Sequence, residues 1–332
     1  MQKVRVGVVG VGHLGQHHAR IFSEMQDASL QAVVDQDYDR AQIIARRTGT
    51  RAYKDCHDIL GKVDAVAVAV PTVTHAQVAR IFLENGKDVL VEKPISSSAR
   101  EAQGLVELAA DKNLILAVGH LERYNAAVTQ LQKIARNPYY IESQRLSPFP
   151  ARSTDIDVIL DLMIHDIDIV LSLVGDTPIR LIRAVGHPVL TTSIDMASAW
   201  IEFTNGCVAT VSASRVSHKK VRKLRVFQAD SYISVDYATQ QVSVLNRVSK
   251  PGIPNVPSIE EERYDLKRVE PLRAELEEFV QCVRERREPR VSGQAGLNAL
   301  QLAQRITQSI EPRFRAVNHP FSKIATDLQP PL

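Results

Sequence analysis

The sequence predicts an α/β protein in two parts, a doubly wound parallel sheet followed by an α+β domain with an open antiparallel sheet. Three observations predict it. Short apolar runs alternate with helical patterns up to about Gly119, as parallel strands joined by helical crossovers require. A glycine-rich turn, Gly10-Val11-Gly12-His13-Leu14-Gly15, separates the first apolar run from the first helix. Beyond Gly119 the strands follow one another directly, with hairpin signals and alternating polarity.

The elements follow in order. Val4 to Val9 is a strand and Gln16 to Met25 its helix. Leu30 to Asp35 repeats the strand signal, and Asp39 to Thr48 is a helix stopped by Gly49. Asp64 to Val70 is almost wholly apolar, as a strand buried on both faces should be. His75 to Asn85 is a helix ended by Gly86; Asp88 to Glu92 is a strand, Ala99 to Lys112 a helix and Leu114 to Gly119 a strand. In the second part Tyr139 to Ser147 is a strand, Val158 to Val174 a helix and Leu181 to Val189 a strand. Ala197 to Phe203 and Cys207 to Ala213 flank Thr204-Asn205-Gly206, whose Asn-Gly marks a tight hairpin. Val221 to Gln228, Tyr232 to Tyr237 and Gln241 to Arg247 continue the sheet, and Pro251 to Pro257 is a loop. Pro271 to Arg286 is an amphipathic helix with Leu272, Leu276, Phe279, Val280 and Val283 on one side, and Gly296 to Ile310 is the last helix. The expected boundaries are 1–120 for the first domain, 121–312 for the second and 313–332 for a loosely held tail.

Composition narrows the function classes. The 332 residues suit about two domains. Forty-one Lys and Arg against 38 Asp and Glu are too balanced to indicate a nucleic-acid binder. No long uncharged apolar stretch spans a membrane, and the N-terminus lacks a signal-peptide pattern. Cys56, Cys207 and Cys282 are too few and too scattered for a disulfide framework or a zinc site, so no metal is expected and a reducing cytoplasm fits.

The glycine turn is the dinucleotide fingerprint of the Rossmann fold: Gly10, Gly12 and Gly15, with His13 and Leu14 between, cradle a pyrophosphate at a helix N-terminus. Asp35, about 20 residues further on at the end of the next strand, is placed to bond the ribose hydroxyls. Its neighbours Gln36 and Asp37 are not basic and no arginine stands beside it to pair a 2′-phosphate, so NAD is expected rather than NADP.

Two other strand ends carry chemistry-bearing residues at the edge where such sheets bind ligands: Glu92-Lys93-Pro94, and Pro71, Thr72 and His75 in Val70-Pro71-Thr72-Val73-Thr74-His75. In Asp161-Leu162-Met163-Ile164-His165-Asp166-Ile167-Asp168, Asp161 and His165 stand one helical turn apart among apolar residues that bury the helix. His17 and His18 are expected only to pack the first helix. Taken together, the glycine fingerprint, the Glu-Lys-Pro element and the Asp161…His165-Asp166 helix resemble the glucose-fructose oxidoreductase/inositol dehydrogenase/rhizopine catabolism (Gfo/Idh/MocA) family, from about Val4 to Ile310. The resemblance implies that Lys93 and His165 face the nicotinamide and the reacting carbinol, with Asp161 beside them, and that Pro71, Thr72, His75, Glu92 and Lys93 line the cofactor. Histidine titrates near neutrality and suits a general base, while an ammonium stabilises a developing alkoxide. Either Lys93 or His165 can take the proton on this reading.

Gly119-His120-Leu121-Glu122-Arg123-Tyr124-Asn125 and Leu146-Ser147-Pro148-Phe149-Pro150-Ala151-Arg152 resemble the family branch that oxidises nucleotide-linked amino sugars. That implies a UDP-sugar substrate, UDP-N-acetylglucosamine oxidised at C3, with Arg123, Tyr124, Asn125 and Arg152 near it beside Lys93, Asp161 and His165. It also implies a downstream aminotransferase making a 3-amino sugar for lipid A. Two alternatives stand beside it: oxidation of a free cyclic polyol or sugar, and a non-catalytic NAD-binding regulator. The basic run His218 to Arg225 could meet the diphosphate, but a solvated strand edge explains it more simply. An open sheet face exposes apolar surface, so a homo-oligomer, dimer or tetramer, is expected.

Overall fold

The computed structural model describes residues 3–149, 156–249 and 257–310. The expected tail at 313–332 and the loop at 251–256 lie outside them. The described residues form two compact units, one from 3–124 with 269–300 and one from 125–268 with 301–310. The segment Val269–Leu300 therefore belongs with the N-terminal unit, which the sequence boundary near residue 120 does not anticipate.

The first unit is built on β1 (Val4–Val9), α1 (Gly15–Glu24), β2 (Ala28–Val34), α2 (Tyr38–Thr48), β3 (Arg51–Tyr53), β4 (Ala65–Val68), α3 (Thr72–Glu84), β5 (Asp88–Glu92), α4 (Ala99–Asp111) and β6 (Leu116–Gly119). All neighbours pair in parallel, in the order β3-β2-β1-β4-β5-β6. Strand order reverses between β1 and β4, so their carboxyl ends frame the crevice where a ligand binds in such sheets. Ala65, Val66, Ala67 and Val68 are all buried, which is why this strand reads as an unbroken apolar run.

The second unit contains α5 (Ala126–Ile134), β7 (Tyr140–Leu146), α6 (Ile164–Val174), β8 (Ile179–His187), β9 (Met196–Phe203), β10 (Val208–Ser214), β11 (Val221–Phe227), β12 (Ser231–Asp236), β13 (Gln241–Ser249) and β14 (Pro257–Tyr264). The chain then runs into α7 (Pro271–Glu285) and α8 (Gly293–Ser309). On the first unit's side, Leu276, Phe279 and Val280 of α7 join the core of Val6, Val8, Ile21 and Phe22.

The eight-stranded sheet runs β14-β13-β12-β11-β7-β10-β9-β8. It departs from the expected antiparallel sheet at one pair, since β7 and β10 are parallel. The connection between them passes through α6 and a hairpin, and a crossover of that length is what parallel pairing needs. One face is buried through Ile141, Val211, Ala213, Leu224, Val226, Ile233 and Val235. The other carries an aromatic row, with Tyr140 5.7 Å from Phe227 and Phe227 4.8 Å from Tyr232 by ring centroids. Trp200, 42% exposed, extends the row beside Tyr140.

Other differences have local causes. The helix expected from His75 begins at Thr72, behind Pro71, and takes His75 into its body. Strand β14, Ser-Ile-Glu-Glu-Glu-Arg-Tyr after Pro257, lacks the apolar alternation of a half-buried strand because it is an exposed edge. The expected helix Val158 to Val174 is a π-turn at Ile159–Met163 followed by α6. Asp157 starts it, its Oδ1 accepting from the Leu160 amide at 2.9 Å. Apolar periodicity does not distinguish that turn from an ordinary helix. The basic run does not lie at a sheet edge either: β11 sits between β12 and β7, and Arg225 pairs with Glu142 at 2.7 Å.

Candidate active site

The three fingerprint glycines have three different surroundings. Gly10 has φ +84°, and a Cβ there would sit 2.6 Å from the Ala69 carbonyl oxygen. A Cβ on Gly15 would fall 1.8 Å from the Gly10 carbonyl oxygen, so this glycine closes the helix onto the turn. Around Gly12 the nearest group is the Arg40 Nη1, at 3.8 Å from the corresponding point. Only the middle glycine faces open space, as it must if a pyrophosphate is to approach the backbone. Helix α1 has no acidic residue in its first turn and no side-chain cap, leaving its N-terminus to an anion. The residues therefore fit a dinucleotide. Substituting Gly12 by valine is expected to keep the melting curve within about 0.5 kcal/mol of the parent while abolishing NAD binding by calorimetry; Gly15→Val should fail to yield folded protein.

Asp35, the candidate ribose ligand, is held beside the glycine turn. Its Oδ2 accepts from the Val11 amide at 2.9 Å and its Oδ1 from the Asp37 amide at 3.0 Å, fixing the carboxylate beside the glycine turn. The expectation that no arginine stands there needs correcting. Arg40, from the first turn of α2, brings Nη1 to 3.4 Å from Asp35 Oδ2 and Nη2 to 2.9 Å from Asp37 Oδ2. Two carboxylates, those of Asp35 and Asp37, engage that guanidinium. Asp35→Ser should cost a charged hydrogen bond of about 1.5–3 kcal/mol in NAD affinity. It should also admit NADP, because Arg40 is already in place; equal titrations with the two cofactors check both halves.

At the end of β5, Glu92 is buried and Lys93 half-buried. Glu92 Oε1 lies 2.9 Å from His18 Nε2, and Oε2 accepts from the Lys93 amide at 3.2 Å. Burial pushes the Glu92 carboxyl up, but the His18 hydrogen bond and the charges of His18 and Lys93 outweigh it and hold it below its usual range. His18, expected only to pack α1, thus anchors the residue before the candidate catalytic lysine. Glu275 of α7 is buried nearby, and burial together with the Glu92 and Glu278 charges pushes its carboxyl well up. His75 is buried with Nδ1 2.8 Å from the Pro94 carbonyl and Nε2 2.9 Å from that of Val70. Burial pushes its pKa down. It ties the Pro71–Thr72 strand end to the Glu92-Lys93-Pro94 turn.

In the second unit Asp161 lies in the π-turn and His165 in the first turn of α6, both half-buried, whereas Asp166 and Asp168 are buried. Of the residues expected near substrate, Arg123 and Tyr124 end the first unit, both buried. The Tyr124 hydroxyl donates to Glu278 Oε2 at 2.8 Å, and the Arg290 guanidinium stands 5.1 Å from its ring centroid. Asn125 caps α5 by accepting from the Ala127 amide at 3.0 Å and donates to the Tyr237 carbonyl at 3.1 Å. These bonds engage the polar atoms of Tyr124 and Asn125 inside the fold. Arg152 lies outside the described residues.

The oxidoreductase family with an NAD-binding Rossmann fold, Gfo/Idh/MocA, matches residues 4–120, and its C-terminal α/β domain matches residues 152–317. The chain belongs to the Gfo/Idh/MocA family. It is similar to the UDP-N-acetylglucosamine 3-dehydrogenase of Acidithiobacillus ferrooxidans, 38% identical over 94% of this chain and 98% of that protein. A solved structure of that enzyme superposes with a TM-score of 0.88, at 36% identity, covering 95% of this chain and all of that one. The scyllo-inositol 2-dehydrogenase (NAD(+)) of Bacillus subtilis is 28% identical over 87% of this chain and 89% of its own. As a Gfo/Idh/MocA member the chain is an NAD-dependent dehydrogenase, with an NAD-binding Rossmann domain over residues 4–120. Among its described residues no helix is long and apolar enough to cross a membrane. Burial pushes the Cys207 and Cys282 thiols up to about 11 and about 12, so neither is a thiolate nucleophile at neutral pH.

Proposed function

We propose that this enzyme oxidises the C3 hydroxyl of UDP-N-acetylglucosamine to the ketone, with Lys93, His165 and Asp161 as the catalytic residues. The observation that carries the reading is full-length similarity to an enzyme of that activity, in a chain that keeps the lysine after Glu92 and the Asp161…His165 spacing. NAD, bound against the glycine turn, supplies the acceptor for the hydride that leaves C3. The chain's own residues manage the proton and the charge. His165 takes the hydroxyl proton, which suits an imidazole at neutral pH. Lys93 donates a hydrogen bond to the same oxygen and stabilises the alkoxide as it develops. Asp161, four residues before His165, orients the imidazole. Arg123 and Arg152 supply positive charge for the UDP diphosphate.

The ketone is a substrate for transamination, and we infer an aminotransferase downstream that yields a 3-amino sugar for lipid A. Cofactor and nucleotide-sugar pools, with three free cysteines, favour a cytoplasmic enzyme. The aromatic row of Tyr140, Phe227, Tyr232 and Trp200 supports a homotetramer assembled through this sheet face. A monomer by sedimentation would remove that assignment.

NADH formation at 340 nm tests the substrate. Turnover with UDP-N-acetylglucosamine and little with free N-acetylglucosamine or myo-inositol is expected. Preference for inositol would instead support a polyol dehydrogenase, in keeping with the Bacillus subtilis relative.

A further inference from the structure

The segment carrying Asp161 and His165 is held at both ends by a buried arginine–aspartate pair. Past its C-terminal end, Asp166 follows His165 directly. Arg145 of β7 donates to Asp166 through Nε at 2.6 Å and through Nη2 at 3.3 Å, a fork on the carboxylate, with both side chains at most 3% exposed. The Arg145 guanidinium stands 5.3 Å from the Tyr237 ring centroid, so the fork is fixed by stacking as well. At the N-terminal end Arg215, just past β10, is fully buried. Its Nε donates to Asp195 Oδ1 at 2.7 Å and its Nη1 to the Ile156 carbonyl at 2.8 Å, three residues before the π-turn. Asp195 Oδ2 in turn accepts from the amides of Val189, Leu190 and Thr191.

Buried ion pairs are poor sources of stability, since desolvation cancels most of their attraction and apolar side chains of similar volume often do as well. Their advantage is direction, because a guanidinium fork admits one orientation of its carboxylate. Both pairs grip the ends of the one stretch in this unit that carries proposed catalytic side chains. An irregular π-turn lies between them and cannot by itself fix where its side chains point.

We propose that Arg145–Asp166, with Arg215–Asp195 anchoring the other end of the segment, is a positioning pair that aims His165 and Asp161 at the reacting hydroxyl. This rests on the catalytic reading of His165 given above. A displacement of about 1 Å from reactive geometry costs about 100-fold in rate.

The test compares the full-length enzyme with Arg145→Lys, with the double variant Arg145→Met/Asp166→Leu, and with His165→Asn. Substrate is UDP-N-acetylglucosamine with hydrogen or deuterium at C3. Both pair variants should keep the parent's circular dichroism and NAD affinity, because the cofactor residues lie in the other unit. Their kcat should fall about 10–100-fold, with less than threefold change in KM and a larger deuterium isotope effect on kcat as hydride transfer becomes limiting. A purely structural role would move melting temperature without moving the isotope effect. If the double variant does not fold, Arg145→Lys decides, since it keeps the charge and loses only the fork. Folded pair variants at parental kcat and isotope effect, alongside an inactive His165→Asn, would overturn the positioning role alone. An active His165→Asn would overturn the catalytic reading and this inference with it.

Discussion

Replacing Lys93 by methionine is expected to lower kcat/KM by about 10²–10⁴-fold while weakening NAD binding far less. Methionine keeps the length and the apolar stem of the side chain and removes only the ammonium. Glu92 keeps its hydrogen bond to the Lys93 amide, which is backbone, and its contact with His18. The turn at the end of β5 therefore survives, and the loss reports on charge stabilisation of the alkoxide. Steady-state NADH formation, with cofactor affinity by calorimetry, separates the two effects. Turnover within a few-fold of the parent would mean that Lys93 does not touch the reacting oxygen.

Asp195→Ala should be strongly destabilising, costing about 3–5 kcal/mol, because it leaves the Arg215 guanidinium buried without its counter-charge. It also removes the acceptor of three successive backbone amides. The same carboxylate predicts a pH dependence. Burial pushes Asp195 up, but the amides of residues 189–191 and the Arg215 hydrogen bond outweigh it, and its pKa lies below the ordinary value. For an acid with a depressed folded-state pKa, the contribution to stability is complete above the unfolded value of about 3.9 and is lost as pH falls through the folded value. Parent protein should thus lose stability on acidification below about pH 4 more steeply than Asp195→Ala. Urea melts at pH 7, 4 and 3 measure both; parallel losses in the two proteins would contradict the assignment.

What the sequence disclosed, and what it did not, follows from the range of the forces involved. The glycine fingerprint is readable because Gly10 and Gly15 are required by contacts with local backbone that no side chain can share. Ala65 to Val68 is readable because burial on both faces leaves no polar position. Asp35 follows from the length of one βα unit. Arg40 does not, because it reaches the ribose acid from a turn of α2 whose start sets its direction. The π-turn leaves no mark on periodicity. Arg145 and Asp166 are 21 residues apart and Arg215 and Ile156 are 59 apart, so their pairing exists only once the sheet has formed. His18 and Glu92, 74 residues apart, were hidden for the same reason. The residues proposed to do chemistry are visible as motifs, while the side chains that hold them are visible only in three dimensions.

The most direct measurement is a crystal structure of the enzyme with NAD and UDP-N-acetylglucosamine bound together. The account predicts the C3 hydroxyl oxygen within about 3.2 Å of both Lys93 Nζ and a His165 ring nitrogen, with the C3 hydrogen facing the nicotinamide. A sugar bound with another carbon at the nicotinamide, or with either side chain out of hydrogen-bond reach of that oxygen, would contradict it.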